Sequence, residues 1–249
     1  MPRGLYVNSY RLKRPSASAH DTTPIYQRGR KVFVAKKLID LTMEIRTGTP
    51  VFPGYSTPIV HSWTTIREHG YYSNLLQFVE HTSTHVDAPA HFAEGADTVD
   101  RVPLESFTGE GVVVDLRDLP PRAVVTAGTL RERMGATLDK LGPGWVVLFL
   151  TGYDSKAGTP EWFDHPGLGE DAARLLAEKR VNAVGTDAPS IDQPPFPAHK
   201  TLLPRGVVIY ENLTNLSQLL GRRFQFVGFP LKILGGSASP VRAVAVLEE

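Results

Sequence analysis

From Leu38 onward, short runs of β-branched, aromatic and aliphatic residues alternate with polar connections punctuated by Gly and Pro. The pattern predicts strands over 38–43 ("LIDLTM"), 74–80 ("NLLQFVE"), 111–116, 145–150 ("WVVLFL"), 181–187, 206–211 ("GVVIYE"), 224–229 and 241–247. Helical spacing predicts two helices, over about 127–141 and over 170–179. The second, "EDAARLLAEK", carries acids at its start and bases at its end, as the helix dipole prefers. Alternation of helix and strand in the middle of the chain argues for an α/β fold. Strands clustered at both ends add antiparallel pairing, so a mixed sheet with flanking helices is expected. No repeat, low-complexity tract or shift of composition interrupts residues 38–249, which are read as one domain behind an N-terminal arm of residues 1–37.

The chain has 249 residues, 41% of them hydrophobic, ample for a buried core. A net charge of +1 conceals an asymmetry: residues 1–37 hold nine Lys or Arg against the single Asp21, and the body is mildly acidic. Those basic residues are scattered among Pro, Ser and Tyr without heptads or a nucleic-acid-binding module, so the arm reads as a flexible or partner-docked extension, and its Tyr, Pro and Val content predicts packing across a neighbouring subunit. The longest purely apolar run, "WVVLFL", is too short to cross a bilayer, and the start of the chain lacks the apolar stretch of a secretory signal. A cytoplasmic protein without nucleic-acid or membrane partners is expected. With no cysteine, disulfides and thiolate chemistry are excluded, and any metal must sit on His, Asp or Glu.

Candidate chemistry concentrates in "HTSTHVDAPAH", residues 81–91. A straight helix cannot gather His81, His85 and Asp87, because i and i+4 share a face while i+6 lies opposite, and Pro89 stops a helix. The segment must turn; with 74–80 as a strand running into it, the three side chains would meet at the end of the sheet. Two imidazoles and a carboxylate suit zinc or manganese, with room for water. Any one of these histidines alone reads as an ordinary loop residue, but His81, His85, His91 and Asp87 crowded together have no packing benefit. Thr82, Ser83 and Thr84 either orient the imidazoles or form the turn. Further along, His199 and Glu211 offer more donors, and a carboxylate closing "GVVIYE" is expensive to bury without positive compensation. Asp187 and Ser190 in "GTDAPSID" stand either toward a substrate or in a tight turn. His61, His69 and His165 fall outside the pattern as surface or loop residues, and Asp154 reads as a cap or loop residue.

"HTSTHVDAPAHF", the "FPG" at 52–54, "GTDAPSID", and His199 with "ENLTNL" ahead of "GGSASPVRAVAV" together resemble the metal-dependent cyclase family, which includes bacterial kynurenine formamidases and isatin hydrolases. The resemblance runs from about Leu38 to Glu249. It implies a swivelling α/β domain in homodimers or homotetramers. It also implies one or two divalent ions, Zn or Mn: His81, His85 and Asp87 for the first, with Asp87 bridging to a second on His199 and Glu211. His91 becomes the residue that handles protons. Ser83 stands where many members have Gly. "FPGY" replaces Trp-Pro-Gly-Asp, so Phe52 and Tyr55, with Phe92, form the expected substrate wall.

The implied reaction is hydrolysis of a carbonyl C–N or C–O bond in a small amide, imide or lactone by metal-activated water, in keeping with the absence of Cys and of a Gly-x-Ser-x-Gly elbow. An imidazole at His91 suits the proton relay. The alternatives are a polyketide-type cyclase using the same site and a non-catalytic metal-binding scaffold. "YYSNLL", 71–76, is the first candidate for a lid from a neighbouring subunit.

Overall fold

The computed structural model describes residues 37–247, so the arm and its expected packing lie, but for Lys37, outside the described residues. In chain order the elements are β1 (Leu38–Asp40), β2 (Ile59–Thr64), α1 (Ile66–His69), β3 (Ser73–Gln77), β4 (His85–Asp87), β5 (Thr108–Asp115), β6 (Val124–Val125), α2 (Ala127–Met134) and α3 (Ala136–Lys140). There follow β7 (Trp145–Leu150), β8 (Gly167–Leu168), α4 (Glu170–Lys179), β9 (Ala183–Thr186), α5 (Pro197–Leu202), β10 (Val208–Glu211), β11 (Phe224–Val227), β12 (Ala238–Pro240) and β13 (Val244–Leu247). Nine strands form one sheet in the order β1-β13-β11-β5-β7-β9-β10-β4-β12. The central four, β5, β7, β9 and β10, run parallel. The flanking pairs are antiparallel, which makes the sheet mixed, as the strand order along the chain predicts. No helix among the described residues is long and apolar enough to cross a membrane.

Both faces of the sheet are covered, which is why its central strands read as unbroken apolar runs. Along β7, Val146, Leu148 and Leu150 pack with Phe226, Ala245 and Leu213 on one side. Val147 and Phe149 pack on the other with Leu130 of α2, Leu176 of α4 and Leu202 of α5. At one crossing only glycine fits: a Cβ on Gly111 would lie 1.9 Å from Cε2 of Phe224, its partner across the β5–β11 pair. The helix over 170–179 forms with its predicted bounds, with Glu170 and Asp171 in its first turn. The helix expected over 127–141 is broken at Gly135, whose backbone (φ 50°, ψ −132°) is one that side-chain-bearing residues avoid, so α2 and α3 are separate.

Residues 74–80 are the main departure from the expected elements. Their strand, β3, ends at Gln77 and pairs only with β2 in a separate two-stranded ribbon. It does not carry the histidine segment to the end of the sheet; β4, inside the main sheet between β10 and β12, does that itself. Polar and apolar residues alternate poorly in the ribbon because much of it faces outward: Trp63, Tyr71, Tyr72, Leu75 and Leu76 are all more than half exposed. Strands β2, β4 and β12 and helix α5 are too short or too polar for their periodicity to show in the sequence.

Candidate metal centre

Strand parity aims the site. Val86 at the middle of β4 enters the core on the side of Tyr210, so His85 and Asp87 point to the opposite face, the one covered by α2, α4 and α5. The antiparallel register places Glu211 directly across from His85, and the same alternation puts it on that face. Helix α5 lies there too, anchored through Ala198 and Leu202, and presents His199. His81 arrives from the loop before β4. The turn between the two histidines is left-handed at Ser83 (φ 59°), an unusual conformation for a residue with a side chain. It is held because the Ser83 hydroxyl donates to Met43 O (2.6 Å) and Ser83 O accepts from Asn212 Nδ2 (2.9 Å). Serine therefore holds a left-handed turn without a glycine.

The five candidate ligands converge, and all are buried. His81 Nδ1 lies 2.9 Å and His85 Nε2 3.3 Å from Asp87 Oδ1. His85 Nε2 is 3.6 Å from Glu211 Oε2. His199 Nε2 stands 3.5 Å from Asp87 Oδ2 and 3.3 Å from Glu211 Oε1. Yet neither Asp87 oxygen nor His85 Nε2 has a hydrogen-bond partner, although each is sealed from solvent. Buried polar atoms are normally satisfied. Lone pairs on nitrogen and carboxylate oxygen facing a common point fit a divalent cation of the zinc or manganese type.

The outer nitrogens explain how those lone pairs are kept free. His85 Nδ1 donates to Ser83 O (2.9 Å), and His199 Nδ1 donates to Asp192 Oδ1 (2.7 Å). His81 Nε2 lies 3.2 Å from Ser237 Oγ. On His85 and His199 a ring proton is thereby held on the far side, a usual arrangement behind metal-binding histidines. Of the open readings for 82–84, Ser83 orients an imidazole through its carbonyl, while Thr84 Oγ1 ties β4 to Asn212 O.

Electrostatics give the same answer. Burial works against ionisation of Asp87, but the neighbouring His81 and His85 outweigh it and hold the carboxyl well below its ordinary range. Burial pulls His85 down, and Asp87 and Glu211 override that to push it up to about 9. His199, also opposed by burial, is raised well above the usual histidine value by Asp192, Asp87 and Glu211. A buried pair of carboxylates demands positive charge, which either protons on these rings or a divalent cation can provide. His91 behaves differently: burial lowers its pKa, leaving it neutral at pH 7. Its ring centre lies 4.1 Å from that of His81 and 6.0 Å from that of His199, beside the cluster.

Above the cluster opens a cavity of about 300 Å³. Phe52, Tyr55 and Phe92 line it, as does Phe196. Tyr55 stacks on His81 (5.5 Å between centres, 12° between planes), and Phe92 leans over His199 at 4.7 Å. Ser190 also faces this cavity, whereas Asp187 does not. Asp187 accepts from Thr151 N and Oγ1 and from Gly152 N, closing the turn after β7, and burial pushes its pKa up to about 6. His165 lies in a loop, one of the two places expected for it, but it is buried there rather than at the surface, and it donates from Nδ1 to Pro166 O. Asp192, Ser237, Asn212 and Phe196 are site residues that the sequence did not single out. Only the closeness of Asp192 to His199, seven positions on, offered any signal.

The sequence pattern of a family described as "Putative cyclase" matches residues 39–193. The kynurenine formamidase of Salinibacter ruber is 37% identical over 216 residues, covering 83% of this chain and 96% of that protein. Among solved structures, isatin hydrolase A from Labrenzia aggregata bound to benzyl benzoate superposes with a TM-score of 0.77 at 26% identity, covering 86% of this chain and 94% of that one. A potential metal-dependent hydrolase with cyclase activity is similar at 34% identity with a TM-score of 0.70, covering 86% of this chain and all of that one. With a family pattern spanning most of its sheet and relatives matched over nearly their whole length, this chain belongs to the putative cyclase family.

Proposed function

We propose that this chain hydrolyses the carbonyl C–N bond of a small, flat, uncharged amide, cyclic amides above all, at one or two Zn or Mn ions held by His81, His85, Asp87, His199 and Glu211. The observation that carries this reading is the unpartnered state of both buried Asp87 oxygens and of Nε2 of His85, a residue that lines the cavity. When bound, such an ion supplies Lewis acidity, drawing electron density from a carbonyl and making water acidic enough to attack near neutral pH.

The protein's own groups do the rest. Glu211 is fixed because its Oε1 accepts from Ile191 N (2.8 Å), so the far end of the ligand set does not swing. His91, neutral through burial, takes a proton from the attacking water and returns it to the departing nitrogen. Phe52, Tyr55, Phe92 and Phe196 offer ring faces and edges to a planar substrate and limit the water around it. No Lys or Arg is among the described residues that line the cavity, so a substrate carboxylate held along its walls, away from the metal-binding floor, would meet no counter-ion there. That favours a neutral ring such as isatin over the amino-acid side of N-formylkynurenine.

The test is a panel of isatin, N-formylkynurenine and aryl lactones assayed for metal-dependent acid release. Turnover greatest on the neutral ring supports the reading; silence across the panel sinks it.

A second copy of the chain is the proposed cover for the β2–β3 ribbon. Two strands alone are marginal in water, and this pair exposes Ile59, Trp63, Leu75 and Leu76. Light scattering is expected to report a dimer or tetramer. A monomer at micromolar concentration would contradict that.

A further inference from the structure

Of the three histidines in the cluster, His81 alone turns Nδ1 inward, and its outer nitrogen meets a side chain that is itself held. Ser237 Oγ donates to Glu80 Oε1 at 2.6 Å, and the same carboxylate oxygen accepts from Ser237 N at 3.1 Å. A serine hydroxyl has one proton, and here it is committed to Glu80. Its lone pairs are what remain for His81 Nε2, 3.2 Å away, so that nitrogen is the donor and carries the ring proton. Nδ1, 2.9 Å from Asp87 Oδ1, is left bare.

The geometry points to a positioning relay, Glu80–Ser237–His81, that fixes the tautomer and ring angle with which His81 meets the cation. The inference rests on the reading of this cluster as a metal site. Local structure is fitted to the relay from both ends. Glu80 immediately precedes His81, and the chain about Ser237 leads directly into the edge strand β12. A Cβ on Gly236 would stand 2.9 Å from Glu80 Oε2, so the glycine leaves room for the carboxylate. The Gly236 carbonyl, bonded by Val99 N at 2.8 Å, anchors that loop independently of the relay.

The relay differs in kind from the supports of the other two rings. His85 is held by a backbone carbonyl and His199 by a carboxylate directly, whereas His81 depends on a hydroxyl whose direction is set by a second residue. Without Glu80 the Ser237 proton is free to point at His81 Nε2 instead. The ring could then place its own proton on Nδ1, against the cation. Glu80 and Ser237 touch neither substrate nor ion, and their effect passes through His81.

The experiment measures zinc affinity of the full chain by competition with a chromophoric chelator, alongside the unfolding temperature of the chelator-stripped protein. Ser237→Ala is expected to weaken zinc binding about 10- to 100-fold, the usual effect of removing an orienting partner, with the unfolding temperature of the stripped protein unchanged. Glu80→Ala is expected to weaken it in the same sense, and the double variant to be no worse than Ser237→Ala, because Glu80 acts only through the hydroxyl. Ser237→Thr restores affinity. Histidine ¹⁵N spectra of the chelator-stripped protein, recorded where the ring is neutral, are expected to show the His81 proton on Nε2, with that preference lost in Ser237→Ala. Wild-type affinity in Ser237→Ala, fully additive losses, or a parallel fall in stability that threonine does not rescue would overturn the relay. A wild-type chain that fails to bind zinc or manganese at all would overturn the metal-site reading beneath it.

Discussion

Replacing Asp192 with asparagine isolates the orientation of one ligand while preserving shape. Asp192 is buried, and its Oδ2 accepts from Ala198 N (2.6 Å) and His199 N (3.2 Å), which starts α5; its Oδ1 holds His199 Nδ1. In Asp192→Asn the amide oxygen must stay with the two backbone donors, because an NH₂ group there would face N–H against N–H. The amide nitrogen then faces His199 Nδ1, which has to accept. The ring proton moves to Nε2, where Glu211 Oε1 (3.3 Å) and Asp87 Oδ2 (3.5 Å) wait, and the lone pair is lost to the cation. Loss of an orienting partner alone weakens metal binding about 10- to 100-fold, roughly 1–3 kcal/mol, and the wrong tautomer places this variant at the upper end. The fold suffers less. Both backbone bonds persist against a neutral acceptor, a loss of about 1–2 kcal/mol, which for a chain of this size lowers the unfolding temperature by roughly 2–8 °C. Chelator competition and thermal unfolding read the two effects separately. Wild-type zinc affinity in Asp192→Asn would refute the argument that Asp192 sets the tautomer of His199.

His91→Ala is expected to retain its metal by elemental analysis yet lose about 10²- to 10⁴-fold in kcat, the range of a general acid–base residue; loss of metal instead would make His91 a ligand. Stripping the ions with a chelator is expected to lower the unfolding temperature by about 10 °C from a state saturated at a thousand times Kd, since that occupancy is worth about 4 kcal/mol, and added Zn or Mn to restore it. Asp187 sets a pH dependence whose sign follows from its raised folded-state pKa, about 6 against 3.8. Between those values the folded chain binds the proton more tightly than the unfolded one, so stability falls as pH rises through the window, by about 3 kcal/mol relative to Asp187→Asn. A stability difference between the two that stays flat from pH 4 to 7 would remove burial as the dominant influence on that carboxyl.

How much the sequence discloses depends on whether a signal is local. The buried central strands and α4 are legible because each repeats one residue class at one period, and the spacing of His81, His85, Asp87 and His91 is legible because four polar groups crowd eleven positions. The ribbon was misread because "NLLQFVE" has the composition of a core strand while sitting on the surface, where only a partner would make use of its apolar side chains. Glu211 could be flagged from the cost of burying a carboxylate, but its place across from His85 depends on the β4–β10 register, which no periodicity encodes. Asp192, Glu80 and Ser237 were out of reach for the same reason. Each is an ordinary polar residue until the fold sets it behind a ring nitrogen, with Ser237 coming 156 positions after His81. Asp187 stood out in the sequence beside Ser190, and only three hydrogen bonds to the turn after β7 separate its structural role from the cavity-facing one.

The measurement closest to the central claim is the metal content of the purified chain, compared with Asp87→Ala, after equilibration with zinc and manganese and removal of free ions. The account requires one or two equivalents bound to the wild type and almost none to the variant, because Asp87 sits between both sets of histidines with two unpartnered oxygens. A wild-type chain with no metal above background, or an Asp87→Ala chain that retains the full complement, would contradict it.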